Sequence, residues 1–165
     1  MMDDHVMAER ARVFSYLTRH SFLHIEDALA IEKIRLFAGF YRRGQGVEKH
    51  GYHFMDVADV RVVFDALARG EVGFVYREFK GSGGEGDRAA ESRVLSVAIK
   101  ADKVYIELKS GPGRRTATGA ITPMGKARVA VNVGMSLYEG RRLGAAIVAY
   151  VRAWDVVRLG VRRRL

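Results

Sequence analysis

Lys103, Tyr105, Glu107 and Lys109 alternate with Val104, Ile106 and Leu108 in one short stretch of the chain. A second stretch repeats the pattern, with Lys126, Arg128, Ala130 and Asn132 set against Val129, Val131 and Val133. Side chains of a strand point to alternate faces. The apolar set of each stretch therefore seeks a core, and the cations share an open sheet surface. Cations two residues apart on a pleated face can track a phosphate backbone. Lys100 stands beside this face, and Arg114 and Arg115 stand in the turn-like Gly111-Pro-Gly-Arg-Arg115. The chemistry to expect is the holding of a polyanion, single-stranded nucleic acid above all.

Bases also need a surface to stack on, and each stacked base contributes about 1–3 kcal/mol. Tyr105 lies between two charged neighbours on the expected cationic face. Phe74 and Tyr76, or alternatively Phe79, can join it from the preceding strand. Phe40, Tyr41, Tyr52 and Phe54 flank Arg42 and Arg43 and can form one wall of a groove.

Signals for other chemistry are weaker. The chain has no Cys, which removes thiolate metal sites and thiol nucleophiles. It has no Gly-x-Ser-x-Gly elbow. His20 and His24 are four apart, with no acidic residue between them. His50 and His53 stand near Asp56 and Asp59, a spacing open to a metal-dependent enzyme acting on nucleic acid. Capping of a helix start explains the two Asp residues more simply. Gly81-Ser-Gly-Gly-Glu-Gly-Asp87 lacks the Lys-Ser/Thr of a phosphate-binding loop and reads as a connector. The expectation is a binding protein with no cofactor and no catalytic residue. An RNA-binding module is the alternative, without a signature of its own.

The charge distribution agrees. The chain of 165 residues carries a net charge of +9. Residues 91–165 hold 15 Lys and Arg against 5 Asp and Glu, whereas residues 1–60 hold 8 against 9. The excess sits on the strand-rich half, as a nucleic-acid binder would have it. Arg outnumbers Lys heavily, which fits a thermophile. The longest uninterrupted apolar run, from Ala145 to Val151, is seven residues, against the roughly 20 that span a membrane. These features lead us to expect a cytoplasmic protein without a membrane segment.

The elements that must position these residues read as follows. Apolar spacing predicts helices over about 4–18, capped by Asp3 or Asp4, over 25–41, and over 56–69, closed by Gly70. Strands are expected over 72–79, 93–100, 103–109, 116–122 and 126–133, with a tight hairpin at Ala101-Asp102 and a type II turn at 111–115. Ser136-Leu-Tyr-Glu139 has the spacing of a capping box and opens a final helix, with Leu143, Ile147, Val151 and Trp154 inward. No internal repeat is visible. The expected fold is α+β in one domain: a helical half over 1–70, then an antiparallel four- to five-stranded sheet, with a long C-terminal helix packed on one sheet face over 71–158, and a basic tail over 159–165.

Strands followed by one long helix, with an open basic face, resemble the PC4-type plan of single-stranded DNA binders. A closer resemblance is to ThermoDBP, the archaeal single-stranded DNA-binding family. It rests on Arg93–Ile99, Gly111-Pro-Gly-Arg-Arg115, Gly119-Ala-Ile-Thr-Pro123 and Gly144–Trp154. This resemblance implies sequence-tolerant binding of single strands, in a cleft with an apolar floor and basic rims, and a role in genome maintenance. ThermoDBP carries a further zipper-like segment for self-association. This chain stops at Leu165 without one, so a homodimer is an open expectation.

Overall fold

A computed structural model describes residues 10–86 and 89–162. The chain runs β1 (Arg12–Leu17), β2 (Ser21–Ala28), β3 (Lys33–Arg42), β4 (Gly46–Asp56), α1 (Val57–Arg69), β5 (Val75–Ser82), β6 (Ala90–Lys100), β7 (Lys103–Arg115), β8 (Ile121–Pro123), β9 (Val129–Ser136) and α2 (Leu137–Arg162). Strands β1-β2-β3-β4 form an N-terminal antiparallel sheet. Strands β5-β6-β7 and β9 form a C-terminal one, and β8 pairs with the far end of β7. An antiparallel sheet followed by a helix occurs twice, with four strands the first time and five the second, and the sequence shows no repeat that announces it.

The N-terminal half is thus not helical, and this overturns the expected fold class. Residues 25–41, read as a buried helix, are the end of β2, a short 3-10 turn at Leu29–Ile31 and β3. The cause is burial on both sides. In β2, Phe22, Leu23, His24, Ile25 and Glu26 are all buried, so the period of two disappears into a continuous run. The expected helix over 4–18 is β1 in its described part; its proposed caps, Asp3 and Asp4, lie outside the described residues. The third helix is α1 as expected, with Gly70 left-handed at φ 63°. Asp56 precedes it without capping it, because its carboxylate is held by Lys33 instead.

In the C-terminal half, the Ala101-Asp102 hairpin is present, with Ala101 at φ 52°. The expected turn at 111–115 is extended strand, because β7 continues through it. The expected strand 116–122 shrinks to β8, and the expected strand 126–133 shifts to β9. Ser136 Oγ accepts the Glu139 amide at 3.2 Å, so the cap of α2 forms. Leu159–Arg162, assigned to the tail, continue α2, and residues 163–165 lie outside the described residues.

The two sheets and two helices close on one core. Leu23, Ile25 and Leu36 meet Leu95, Ile106 and Val133, and Phe64, Leu67, Leu143 and Ile147 seal the helical side. Helix α2 does not lie flat on a sheet face. It runs along α1 and touches the C-terminal sheet at one end. Glycine makes both approaches possible: a Cβ at Gly140 would stand 2.4 Å from Val104 Cγ2, and one at Gly144 would stand 2.3 Å from the Ala68 nitrogen. The valine face of the C-terminal sheet is covered by the N-terminal sheet and the helices, and the opposite face is left open.

Candidate nucleic-acid interface

Register places the cationic residues of the C-terminal sheet. Tyr105 pairs with Ala98 on β6 and Gly134 on β9; Glu107 with Ser96 and Asn132; Lys109 with Val94 and Ala130. Lys103, Tyr105, Lys109 and Asn132 therefore share the outer face, as their spacing predicts. Tyr105 lies against a backbone without side chain: a Cβ at Gly134 would be 3.5 Å from its Cε1. Lys100 and Lys103 pair at the hairpin end. Lys109 is 3.0 Å from Glu107, so part of the positive field is cancelled.

Strand β5 adds Arg77 and Phe79 to this face, with the Arg77 guanidinium 5.4 Å from the centre of the Phe79 ring. Tyr76 has the opposite parity. It packs against the core, and burial together with Glu78 pushes its phenol well above the usual value. Of the aromatics weighed on β5, Phe79 stands on the outer face, while Phe74 also packs on the core.

The outer face of the N-terminal sheet is aromatic. His50 pairs with Gly39 and Phe22; Tyr52 with Phe37 and His24; Phe54 with Arg35 and Glu26. Ring centres lie 4.9 Å apart for Phe22 and His24, 5.3 Å for Phe22 and Phe37, and 5.5 Å for Phe37 and His50. The Arg35 guanidinium stands 4.8 Å from the Phe37 ring and 5.2 Å from the Tyr52 ring. Glu26 holds it at 2.5 Å, both side chains being buried. Phe37, Tyr52 and Phe54 remain half-buried and His50 exposed. Burial and the neighbouring Arg12 hold the His24 imidazole below its ordinary pKa, which favours its neutral form beside the Phe22 ring.

Phe37, Tyr52 and Phe54, set over the buried Phe22 and Arg35, form a platform that sequence reading placed partly in a helix. The signal that finds it is the alternation of Arg35, Phe37 and Gly39 with Ile34, Leu36 and Ala38, matched by His50, Tyr52 and Phe54 against Gly51, His53 and Met55.

The aromatic face ends in a cleft where β4 crosses the C-terminal sheet. The Arg93 guanidinium stands 5.1 Å from the Tyr52 ring. On one side of it, a hollow of about 330 Å³ is lined by Lys49, His50, Tyr52 and Arg128. On the other, a hollow of about 400 Å³ is lined by Phe54, Phe79, Lys80 and Arg115. The floor is aromatic; the rim at Phe79 is basic, and the rim at Tyr52 mixes Lys49, Arg93 and Arg128 with Glu48 and Glu91. The cations differ in freedom. Lys80 donates to the Phe54 carbonyl at 2.6 Å and sits near Asp56 and Glu78. Arg115 donates to the Gly83 and Gly119 carbonyls. Among the described residues, Arg93 reaches the Ser82 hydroxyl at 3.5 Å in addition to the Tyr52 ring, and Arg128 is 3.9 Å from Glu91.

Other candidate residues are spread more widely. Arg114 and Lys126 are exposed, the latter in the β8–β9 loop. Tyr41 donates its hydroxyl to the Thr18 carbonyl, which fixes it as a brace between hairpins. Arg42 pairs with Glu48 at 2.8 Å, and Arg43 is exposed at the β3–β4 turn. His50 and His53 point to opposite faces of β4, so they do not converge on a metal. His53 is buried and bonds Glu78 through Nε2 at 2.8 Å, and desolvation lowers its pKa despite that partner. Asp56, Asp59 and Glu78 bring oxygens within 4.8 Å of one another, where Lys33 and Lys80 already supply countercharge.

The class this architecture defines is a two-sheet α+β fold in which a strand-then-helix unit occurs twice around one core. The crystal structure of WHY1 from Arabidopsis thaliana has this fold, with a TM-score of 0.60 and 13% sequence identity over 96% of this chain and 95% of that one. No protein-family model and no curated protein matches the sequence. The strand-then-helix layout read from the sequence is supported. Nothing in the likeness places the chain among the archaeal ThermoDBP proteins. No described helix is long and apolar enough to cross a membrane.

Proposed function

We propose that this chain binds single-stranded DNA with little sequence preference, along the aromatic face of the N-terminal sheet and through the cleft at Arg93, and that it does so without catalysing a reaction. The observation that carries the reading is the junction of Tyr52 and Phe54 with Arg93 and Arg128. Flat rings there adjoin guanidinium groups that are only lightly committed to other partners. Rings accept any base by stacking, and cations follow the phosphates. The outer face of the C-terminal sheet, with Lys103, Tyr105, Lys109 and Asn132, is the extension along which a longer strand continues. Genome maintenance is the role such binding would serve.

Fluorescence anisotropy with an oligonucleotide of roughly 20 nucleotides, as DNA, RNA and duplex across a salt series, tests this. Single-stranded DNA should bind more tightly than duplex, with affinity falling as salt rises. Equal binding of duplex and single strand contradicts the proposal; tighter binding of RNA replaces DNA as the ligand.

A further inference from the structure

The rings of the cleft are not bare. A guanidinium stands over each: Arg93 5.1 Å from the centre of the Tyr52 ring, Arg10 5.3 Å from that of Phe54, and Arg77 5.4 Å from that of Phe79. A cation over a ring occupies surface on which a base would stack. A base gains the full ring only where the guanidinium can leave.

Tyr52 meets two guanidinium groups, and they are held differently. Arg35 stands 5.2 Å from the ring, is 8% exposed, and is fixed at 2.5 Å by the equally buried Glu26. Arg93 comes from the other sheet and is half-buried. Among the described residues it reaches the Ser82 hydroxyl at 3.5 Å, the weak end of hydrogen bonding. Arg35 is therefore part of the floor, and Arg93 is the group that can move. It lines both hollows of the cleft, so it stays within the site when it turns. On the Phe79 side it would join Lys80 and Arg115. Three cations there need an anion between them, and a phosphate offers a guanidinium two parallel hydrogen bonds.

Two halves make this exchange favourable. The guanidinium leaves the ring for a phosphate, and a base takes the ring. A stacked base contributes more than an exposed cation over a ring. Phosphate without a free base leaves the ring bare to water. A base without phosphate must evict the guanidinium with nothing to receive it.

We propose that Arg93 caps Tyr52 in the free protein and exchanges the ring for a phosphate when a strand enters, so that Tyr52 accepts a base only from a ligand carrying phosphate and an unpaired base together. The cap rests on the single-strand reading above and gives that site a selectivity determinant. Duplex offers phosphates with its bases paired away, and an uncharged polymer of bases has no anion to draw the cap.

The test uses the full chain as wild type, Arg93→Ala and Tyr52→Leu. The ligands are an oligothymidine DNA and a thymine peptide nucleic acid of equal length, whose bases hang on an uncharged backbone. The Arg93 Nε–Hε resonance reports the cap. It should lie upfield in the free wild type through the Tyr52 ring current. It should lose that displacement in Tyr52→Leu, and also when DNA saturates the wild type. Arg93→Ala should bind the DNA several-fold more weakly than wild type, yet the peptide nucleic acid about threefold more tightly. A cation that only meets phosphate would not give those opposite signs. An Arg93 resonance unmoved by saturating DNA, or peptide nucleic acid bound no more tightly by Arg93→Ala than by wild type, overturns the cap. Where wild type binds the DNA and either of those results is found, the cap alone is wrong and the single-strand reading survives. If wild type does not bind the DNA, the single-strand reading fails and the cap falls with it.

Discussion

The two sheets are both antiparallel and both lead into a helix, and they differ in how they use their outer faces. On the C-terminal sheet the outer face carries an exposed Lys103 and a Lys109 half offset by Glu107, set among small neighbours, with Ala98 and Gly134 beside Tyr105. On the N-terminal sheet one buried Arg35–Glu26 pair lies beneath a layer of rings. The first surface attracts a polyanion at long range and is easily screened by salt. The second offers contacts that salt barely affects. A protein with both gains encounter from one and residence from the other.

The largest effect should come from Arg35→Ala. It strands the Glu26 carboxylate in a buried site, and breaking a buried pair this way costs about 3–5 kcal/mol. Denaturant unfolding should show that loss, whereas Lys103→Ala should stay within about 0.5 kcal/mol of wild type. Equal effects would mean that the two faces are not built differently.

Next comes Gly144→Ala, which places a methyl group against the backbone of α1. Overpacking of this kind costs about 1–3 kcal/mol, read as a lower midpoint of thermal unfolding. Unlike Arg35→Ala, it should leave the binding of the surviving folded protein unchanged, since it touches neither face.

Tyr52→Ala removes one stacking ring. Its cost to single-strand binding should be about 1–3 kcal/mol with the salt slope unchanged. Lys103→Ala and Arg128→Ala should each lower the slope of log affinity against log salt by roughly 0.7 if each meets one phosphate. A tyrosine that changes the slope, or a cation that does not, would erase the division of labour.

The smallest effect concerns pH. His53 and His24 have folded pKa values below the ordinary 6.5. Between each lowered value and 6.5 the unfolded chain binds more protons than the folded one, so stability falls as pH drops through that window. Melting temperatures between pH 7.5 and 5 should show the decline, and His53→Gln should reduce it. A melting temperature independent of pH over that range would mean that neither histidine is held neutral.

How much of this was legible in the sequence depended on burial. The outer face of β7 was readable because Val104, Ile106 and Leu108 are buried while Lys103 and Tyr105 are not, which leaves a clean period of two. α1 and the start of α2 were readable from Gly70 and from Ser136 with Glu139, whose chemistry is local. β2 and β3 were not. Buried on both faces, they present an apolar run that a helix would also present. The aromatic platform was hidden with them, because Arg35 reads as solvent-facing until its partner Glu26 is seen across the strand pair. The Gly-Pro-Gly of β7 misled for a different reason. Its glycines serve close approach, by the β8–β9 loop at Gly111 and by Ile121 at Gly113, rather than a turn.

The most direct test of the central claim is anisotropy with one single-stranded oligonucleotide, comparing wild type, Tyr52→Ala and Lys103→Glu at low and at physiological salt. With bases seated on the N-terminal sheet, Tyr52→Ala weakens binding about 5-fold or more at both salt concentrations, while the effect of Lys103→Glu fades as salt rises. Wild-type affinity for Tyr52→Ala, together with loss of binding by Lys103→Glu at both concentrations, would place the strand on the C-terminal sheet and contradict the account.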